Sequence, residues 1–249
     1  MKPPSFRSAG PRLYCDLPLS PGAEIALPEA AARHAVTVLR LQPGDTLSLF
    51  NGAGGEYSAS LVAVNKREAR VCLNGFDARE RESPLAITLA LGISAGERMD
   101  YSLQKATELG VAAIVPLATE RSVVKLAGER ADKRQIHWQH VVIAACEQCG
   151  RNCVPLVAPV QKLFSYLAEV DRSQRLLMLS PDAATPMKLK PCAERVVLLV
   201  GAEGGFAPSE YEAAEASGFE PVSLGPRILR TETAPVAALA VLQALWGDI

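Results

Sequence analysis

The stretch 201-GAEGGFAPSE-210, followed shortly by 224-LGPRILRTET-233, decides how the chain is read. Each segment follows a short apolar run, Val196–Val200 for the first and Phe219–Leu224 for the second, and each leads into a helix. Ser209 is expected to open the first helix, with Glu212 three residues on completing a capping box and Gly218 as its stop. Thr233 and Pro235 start the second, Ala234–Trp246. Successive strand–loop–helix units put both loops at one end of a parallel sheet, the end at which such folds bind ligands. Gly201, Gly204 and Gly205 let a ligand approach bare backbone. The second loop adds Arg227, Arg230, Thr231, Glu232 and Thr233.

The commonest competitors do not fit. GAEGG is not G-x-G-x-x-G, and no Lys-Ser or Lys-Thr follows it, so neither the dinucleotide fingerprint nor the P-loop is matched. Those folds also place the glycine turn after the first strand, whereas only about fifty residues remain here.

Upstream, the pattern changes character. Short alternating runs, Thr46–Phe50, Glu56–Val64 and Ala69–Leu73, are separated by turn clusters and interrupted by one short helix, Glu29–Leu39. Residues 1–75 thus read as a small β-barrel, and 76–84, charged and ending at proline, as a linker. From 85 to 249 strands and helices alternate: Leu85–Leu91, Glu97–Leu109, Val111–Leu117, Asp132–Cys149 and Leu176–Leu179 precede the two late units. This is an α/β pattern with a mainly parallel sheet.

The 249 residues are 49% hydrophobic and 21% charged, ordinary for a globular protein. The longest apolar stretch, Pro235–Leu242, is far short of the roughly 20 residues that a membrane span needs, and the N-terminus has no apolar signal region. A cytoplasmic location without membrane contact is expected. With 26 basic against 27 acidic side chains, the chain does not coat nucleic acid indiscriminately. An RNA substrate would need a local basic face, for which Lys2, Arg7 and Arg12, and the group Arg121, Lys125, Arg130, Lys133, Arg134 and Arg151, are candidates. Cys146, Cys149 and Cys153, with His137 and His140 nearby, form no second C-x-x-C pair, so buried free thiols are expected and no metal.

The two late segments resemble the signature of the RsmE family, SPOUT (trefoil-knot) methyltransferases that methylate N3 of uridine 1498 in 16S ribosomal RNA. The resemblance continues through 34-HAVTVLRLQPGD-45, 103-LQKATELGV-111, 116-PLATERS-122 and 143-IAACEQCGR-151, and so covers nearly the whole chain. Ala202 departs from it, standing where the family has proline, which loosens the loop modestly.

The resemblance implies a PUA-like RNA-binding domain first and a SPOUT domain second, with a knot formed by about 195–249. It implies S-adenosylmethionine (SAM) as methyl donor, a 16S rRNA or 30S-subunit substrate, and a homodimer formed through the apolar last helix. The implied donor site comprises Leu179, Leu199, Gly201, Glu203, Gly204, Gly205, Leu224, Gly225, Ile228, Leu229 and Thr233. A guanidinium beside a uracil oxygen favours the anion that N3 must become, which assigns Arg230 as catalytic cation. Glu232 accepts the proton, caps the last helix or holds Arg230, and Arg12 reaches a phosphate or the target base. Arg7, His34, Arg40, Arg121 and Arg151 are the remaining RNA contacts. A sister methyltransferase acting on another RNA, and a non-catalytic ribosome-assembly factor on the same fold, are the alternatives.

Overall fold

Alternating residues in the first part of the chain bury one sheet face, while continuous apolar runs in the second bury both, and two sheets of different kinds result. A computed structural model describes residues 10–65, 68–187 and 192–249. The chain divides into two compact units: residues 1–82 with 146–154, and residues 83–145 with 155–249.

The first unit holds β1 (Arg12–Tyr14), β2 (Glu24–Ala26), β3 (Thr46–Phe50), β4 (Glu56–Val64) and β5 (Ala69–Asp77) in the order β1-β3-β4-β5-β2. Only the β1–β3 pairing is parallel. Leu13, Leu47, Leu49, Leu61, Val71 and Leu73 fill its core. β5 continues beyond Leu73 and past residue 75, pairing with β4 as far as Glu56 opposite Asp77, and the Phe76 ring packs on Tyr57 at 4.8 Å. The expected Glu29–Leu39 helix is α1 (Glu29–Arg33) running into a π-helical turn, His34–Val38, after which Arg40 takes a left-handed φ of 57°. Unlike a division at 75, this unit reaches residue 82 and includes 146–154, because the latter segment supplies polar partners to its interior.

The second unit is built on a parallel sheet ordered β12-β10-β11-β6-β7-β8, where β6 is Ala86–Gly92, β7 Ala113–Ala118, β8 Leu156–Val157, β10 Arg175–Leu179, β11 Arg195–Val200 and β12 Glu220–Val222. A short strand, β9 (Gln161–Lys162), also pairs with β7. The central β11 is buried from Val196 to Val200. β10 lies between the strands that carry the two late loops, so those units are consecutive in the chain but not side by side. β12 is shorter than the apolar run Phe219–Leu224 suggests; it is an edge strand, where Pro221, with no N–H to donate, is tolerated.

The helices are α2 (Glu97–Glu108), α3 (Glu129–Cys149), α4 (Leu163–Glu169), α5 (Pro208–Ala216) and α6 (Thr233–Trp246). α3 starts three residues before the expected Asp132. α5 starts at Pro208 rather than Ser209, and the box-forming carboxylate is Glu210, not Glu212: it accepts the Ala207 N–H at 2.9 Å. Proline at the first helical position, whose missing N–H is not needed there, sets this register. In α6 the one polar interior side chain, Gln243, is 1% exposed; it accepts from Ser83 Oγ at 2.6 Å and donates to Leu109 O at 2.9 Å. Among the described residues no helix is long and apolar enough to cross a membrane.

Candidate active site

The C-terminal ends of β10, β11 and β12 open into one cavity of about 470 Å³. Its walls are the turn Leu179–Asp182, the glycine loop from Val200 to Phe206, and the loop from Val222 through Leu229 to Thr231, with Arg121 and Tyr211 at the side. A pocket of this size, apolar below and rimmed by backbone and a few polar groups, suits a nucleoside-sized ligand.

The glycine loop packs closely on its neighbours at two of its three glycines. At Gly201 a Cβ would lie 3.0 Å from Gly205 Cα, and at Gly204 it would lie 2.8 Å from Arg121 Cβ. Gly205 has φ +64° with open space where a Cβ would stand, so there the backbone conformation alone requires glycine. Glu203 Oε1 accepts the Ala95 N–H at 2.9 Å and Arg98 Nη1 at 3.3 Å, tying the loop to the turn after β6. Burial raises the Glu203 carboxyl, but hydrogen bonds from Ala95, from its own N–H and from Arg98 outweigh it and leave the group below the ordinary glutamate value. Its other oxygen, Oε2, is buried with no hydrogen-bond partner among the described residues. Thr231 Oγ1 meets Ser94 Oγ at 3.2 Å, so the second loop rests on the same turn.

Of the residues expected to hold the donor, Leu179, Gly201, Glu203, Gly204, Gly205, Leu224, Gly225, Ile228 and Leu229 line this cavity, and so does Arg121. Leu199 does not: it points into the hydrophobic core with Met178 and Val197 and is fully buried. Thr233 is exposed in the first turn of α6 and donates its N–H to Arg230 O at 2.9 Å, outside the lining. Arg230 is exposed, follows the lining residue Leu229, and makes no side-chain hydrogen bond or ion pair among the described residues. Glu232 occupies the N-cap position of α6, but its side chain caps nothing and forms no ion pair with Arg230. Lining residues outside the expected set include Ser180, Pro181, Asp182, Phe206 and Tyr211. Their position after β10 and β11 was the available signal, since ligands gather at strand C-termini.

In the first unit two assignments are corrected. The Arg12 side chain is 8% exposed, and all five N–H groups are engaged: Nε donates to Glu56 at 2.7 Å, Nη1 to Cys146 O at 2.7 Å and Glu147 O at 3.4 Å, and Nη2 to Asn152 Oδ1 at 2.6 Å and Arg151 O at 3.2 Å. Its guanidinium also lies 4.5 Å from the Phe50 ring centre. Arg12 is therefore an interior brace with no donor left for RNA or a base. Arg151 is likewise 5% exposed and paired with Glu82, Nε donating to both carboxylate oxygens at 3.1 Å. His34 is half-exposed, 3.8 Å from Glu147, and Arg40 is exposed. Arg7, and Lys2 with it, lie outside the described residues. Burial pushes the Cys146 thiol up to about 12, and His137 bonds Asp100 at 2.8 Å.

Comparison with known proteins gives this geometry a family. A family model described as an RNA methyltransferase domain matches residues 81–243, and one described as an RNA methyltransferase PUA domain matches 27–71. The chain is 35% identical over 240 residues to ribosomal RNA small subunit methyltransferase E of Buchnera aphidicola, covering 96% of this chain and 98% of that one. The solved Neisseria gonorrhoeae methyltransferase of the same name, bound to S-adenosyl methionine, is 44% identical with a TM-score of 0.92, covering 96% of this chain and 99% of that one. A Legionella pneumophila protein solved with bound SAM is 42% identical with a TM-score of 0.93, at the same coverage. With the late glycine and arginine loops meeting at the end of a parallel sheet, and a family match to a PUA domain earlier in the sequence, this chain belongs to the RsmE family of RNA methyltransferases.

Proposed function

We propose that the protein transfers a methyl group from SAM to N3 of a single uridine, position 1498 of 16S rRNA, in the assembled 30S subunit. The observation that carries this is the cavity made jointly by the Gly201–Gly205 loop and the Leu224–Leu229 loop, next to Arg230, whose side chain has no partner among the described residues. SAM supplies an electrophilic methyl on a sulfonium. The residues present fit it: bare backbone is open at Gly205 and Gly225, apolar walls come from Leu179, Leu224 and Leu229, and an ionised Glu203 with an orphaned oxygen suits a cationic ligand. Ile228, 88% exposed, would be covered by ligand or substrate.

For its part, the protein must hold the flipped base and ease loss of the N3 proton. Arg230, without a competing partner among the described residues, stabilises charge developing on a uracil oxygen, and Glu232, which neither caps α6 nor pairs with Arg230, takes the proton. Arg121, His34, Arg40 and Arg7 contact phosphates. α6 buries Pro235, Ala238, Leu239, Leu242 and Gln243 but leaves Ala237, Ala240, Val241, Ala244 and Leu245 at least partly exposed, and a second copy covers these apolar residues in a homodimer, which sedimentation analysis would test. The first unit is read as the PUA-like RNA-binding domain, the second as the catalytic one with residues from about 195 onward knotted, and the enzyme works in the cytoplasm. Arg230→Ala separates binding from chemistry: SAM affinity is kept while turnover falls at least about a hundredfold. Near-normal turnover in that variant would overturn the assignment.

A further inference from the structure

Glu210 is the most deeply buried carboxylate beside the cavity, 2% exposed, and both its oxygens are used. Oε2 accepts the Ala207 N–H at 2.9 Å, where the glycine loop enters α5. Oε1 reaches across to the turn after β7 and accepts the Glu120 N–H at 2.7 Å. That turn carries Arg121 as its next residue. Lys125 Nζ closes it by donating to Thr119 O at 3.2 Å and Glu120 O at 2.8 Å, and Thr119 and Ser122 share a hydroxyl hydrogen bond at 2.8 Å. Arg121 in turn lies on Gly204, occupying the space a Cβ would need, and donates Nη1 to Gly204 O at 3.1 Å while its side chain stays exposed. Among the described residues only one nitrogen of the guanidinium is thus committed by a hydrogen bond, and Arg121 lines the cavity.

We propose that Glu210 is a positioning residue: it locks the Thr119–Ser122 turn to the glycine loop and thereby fixes Arg121 to grip a phosphate of the RNA whose base enters the cavity. The inference rests on the RNA methyltransferase activity proposed above. A carboxylate is required because two backbone N–H groups converge on it. The isosteric amide keeps one acceptor and turns a donor toward the second N–H. The arginine is worth holding still because a charge-assisted contact needs its fork pre-aimed.

The test compares wild type, Glu210→Gln, Arg121→Ala and the double variant. The readouts are KM and kcat for methyl transfer to 30S subunits over a salt series, the RNA dissociation constant over the same series, and hydrogen exchange at the Glu120 amide. Glu210→Gln is expected to speed Glu120 exchange and raise KM about tenfold with kcat within about twofold. It should also lower the salt slope of RNA affinity by about 0.7–0.9, the loss of one phosphate contact. Arg121→Ala does the same to KM and slope, and the double variant goes no further, because both changes remove one contact. If Glu210→Gln fails to fold, Glu210→Asp, which keeps the charge but cannot span both N–H groups, takes its place in the cycle. Additive effects, or a fall in melting temperature with KM and salt slope untouched, would overturn the proposal. Should wild type transfer no methyl group, the activity assignment fails on its own, and RNA affinity with its salt slope still decides the role of Glu210.

Discussion

Gly92, the last residue of β6, does not line the cavity, yet its substitution should damage donor binding more than that of Gly205, which does. A Cβ at Gly92 would lie 2.9 Å from the Gly201 carbonyl carbon and closer still to Ala202 N, where ordinary contact begins at 3.4 Å. The obstacle is backbone, so no rotamer change relieves it, and restoring ordinary contact with Ala202 N requires the loop to retreat by about 1 Å. Overpacking of this kind costs about 1–3 kcal/mol. If the strain is relieved by moving the Gly201–Ala202 loop away from its binding position, apparent donor affinity falls about 5- to 150-fold. At Gly205 a methyl meets nothing within 4 Å, and only the positive φ is unfavourable, at about 1–2 kcal/mol. Gly205→Ala should therefore weaken binding no more than about thirtyfold and less than Gly92→Ala. Titration calorimetry with SAM reads both constants, and thermal melting verifies that each variant folds, with shifts of about 2–4 °C per kcal/mol. A Gly92→Ala protein binding SAM within threefold of wild type, or a Gly205→Ala protein that binds worse, would refute the reasoning.

Arg12→Ala is expected to destabilise the fold by about 3–5 kcal/mol, because it strands the buried Glu56 carboxylate and several carbonyls; denaturant unfolding measures this, and a variant that folds normally but loses only RNA affinity would restore Arg12 to the substrate site. Gln243→Ala removes the side-chain donor to Leu109 O and the acceptor of the Ser83 hydroxyl, which keeps only the Leu85 N–H, and should cost about 1–3 kcal/mol by the same assay, whereas an unchanged midpoint would deny the buried network its role. Burial raises the Cys15 and Cys146 thiols to about 11 and about 12, so the folded state binds protons there that the unfolded state gives up. Their contribution to stability is full below about pH 9 and is lost as pH rises through these values, so unfolding midpoints should fall on the alkaline side, and the exposed Cys192 should be alkylated well before either buried thiol. Equal labelling rates would contradict that burial.

What could be read from the residues was what depends on neighbours in the chain. The runs at 196–200 and 85–91 are apolar but for Thr88, and β11 and β6 are the adjacent central strands of the parallel sheet; the glycine loop after β11 lines the cavity, at the strand ends where such sheets collect ligands. Less legible was whatever depends on distant partners. Arg12 and Arg151 look like solvent-facing cations until Glu56, 44 residues away, and Glu82, 69 residues away, are seen beside them. Leu199 follows the same apolar run as Val200, but only the pleat decides that Val200 faces the cavity and Leu199 the core. The Ser180–Asp182 wall carries nothing but turn chemistry, and becomes part of the site because β10 is inserted between β11 and β12. Spacing points to Glu212 as the capping carboxylate and does not single out Glu210, whose second oxygen is bound by the Glu120 turn, 90 positions earlier.

The most direct measurement is methyl transfer from labelled SAM to 30S subunits that lack uridine N3-methylation, with the product nucleosides identified by mass spectrometry and the site mapped. N3-methyluridine at one position of 16S rRNA, position 1498, is the expected result. Methyl appearing on a ribose hydroxyl or at another base, or no transfer by a protein that binds SAM, would contradict the assignment of Arg230 and its neighbouring loops to N3 of this uridine.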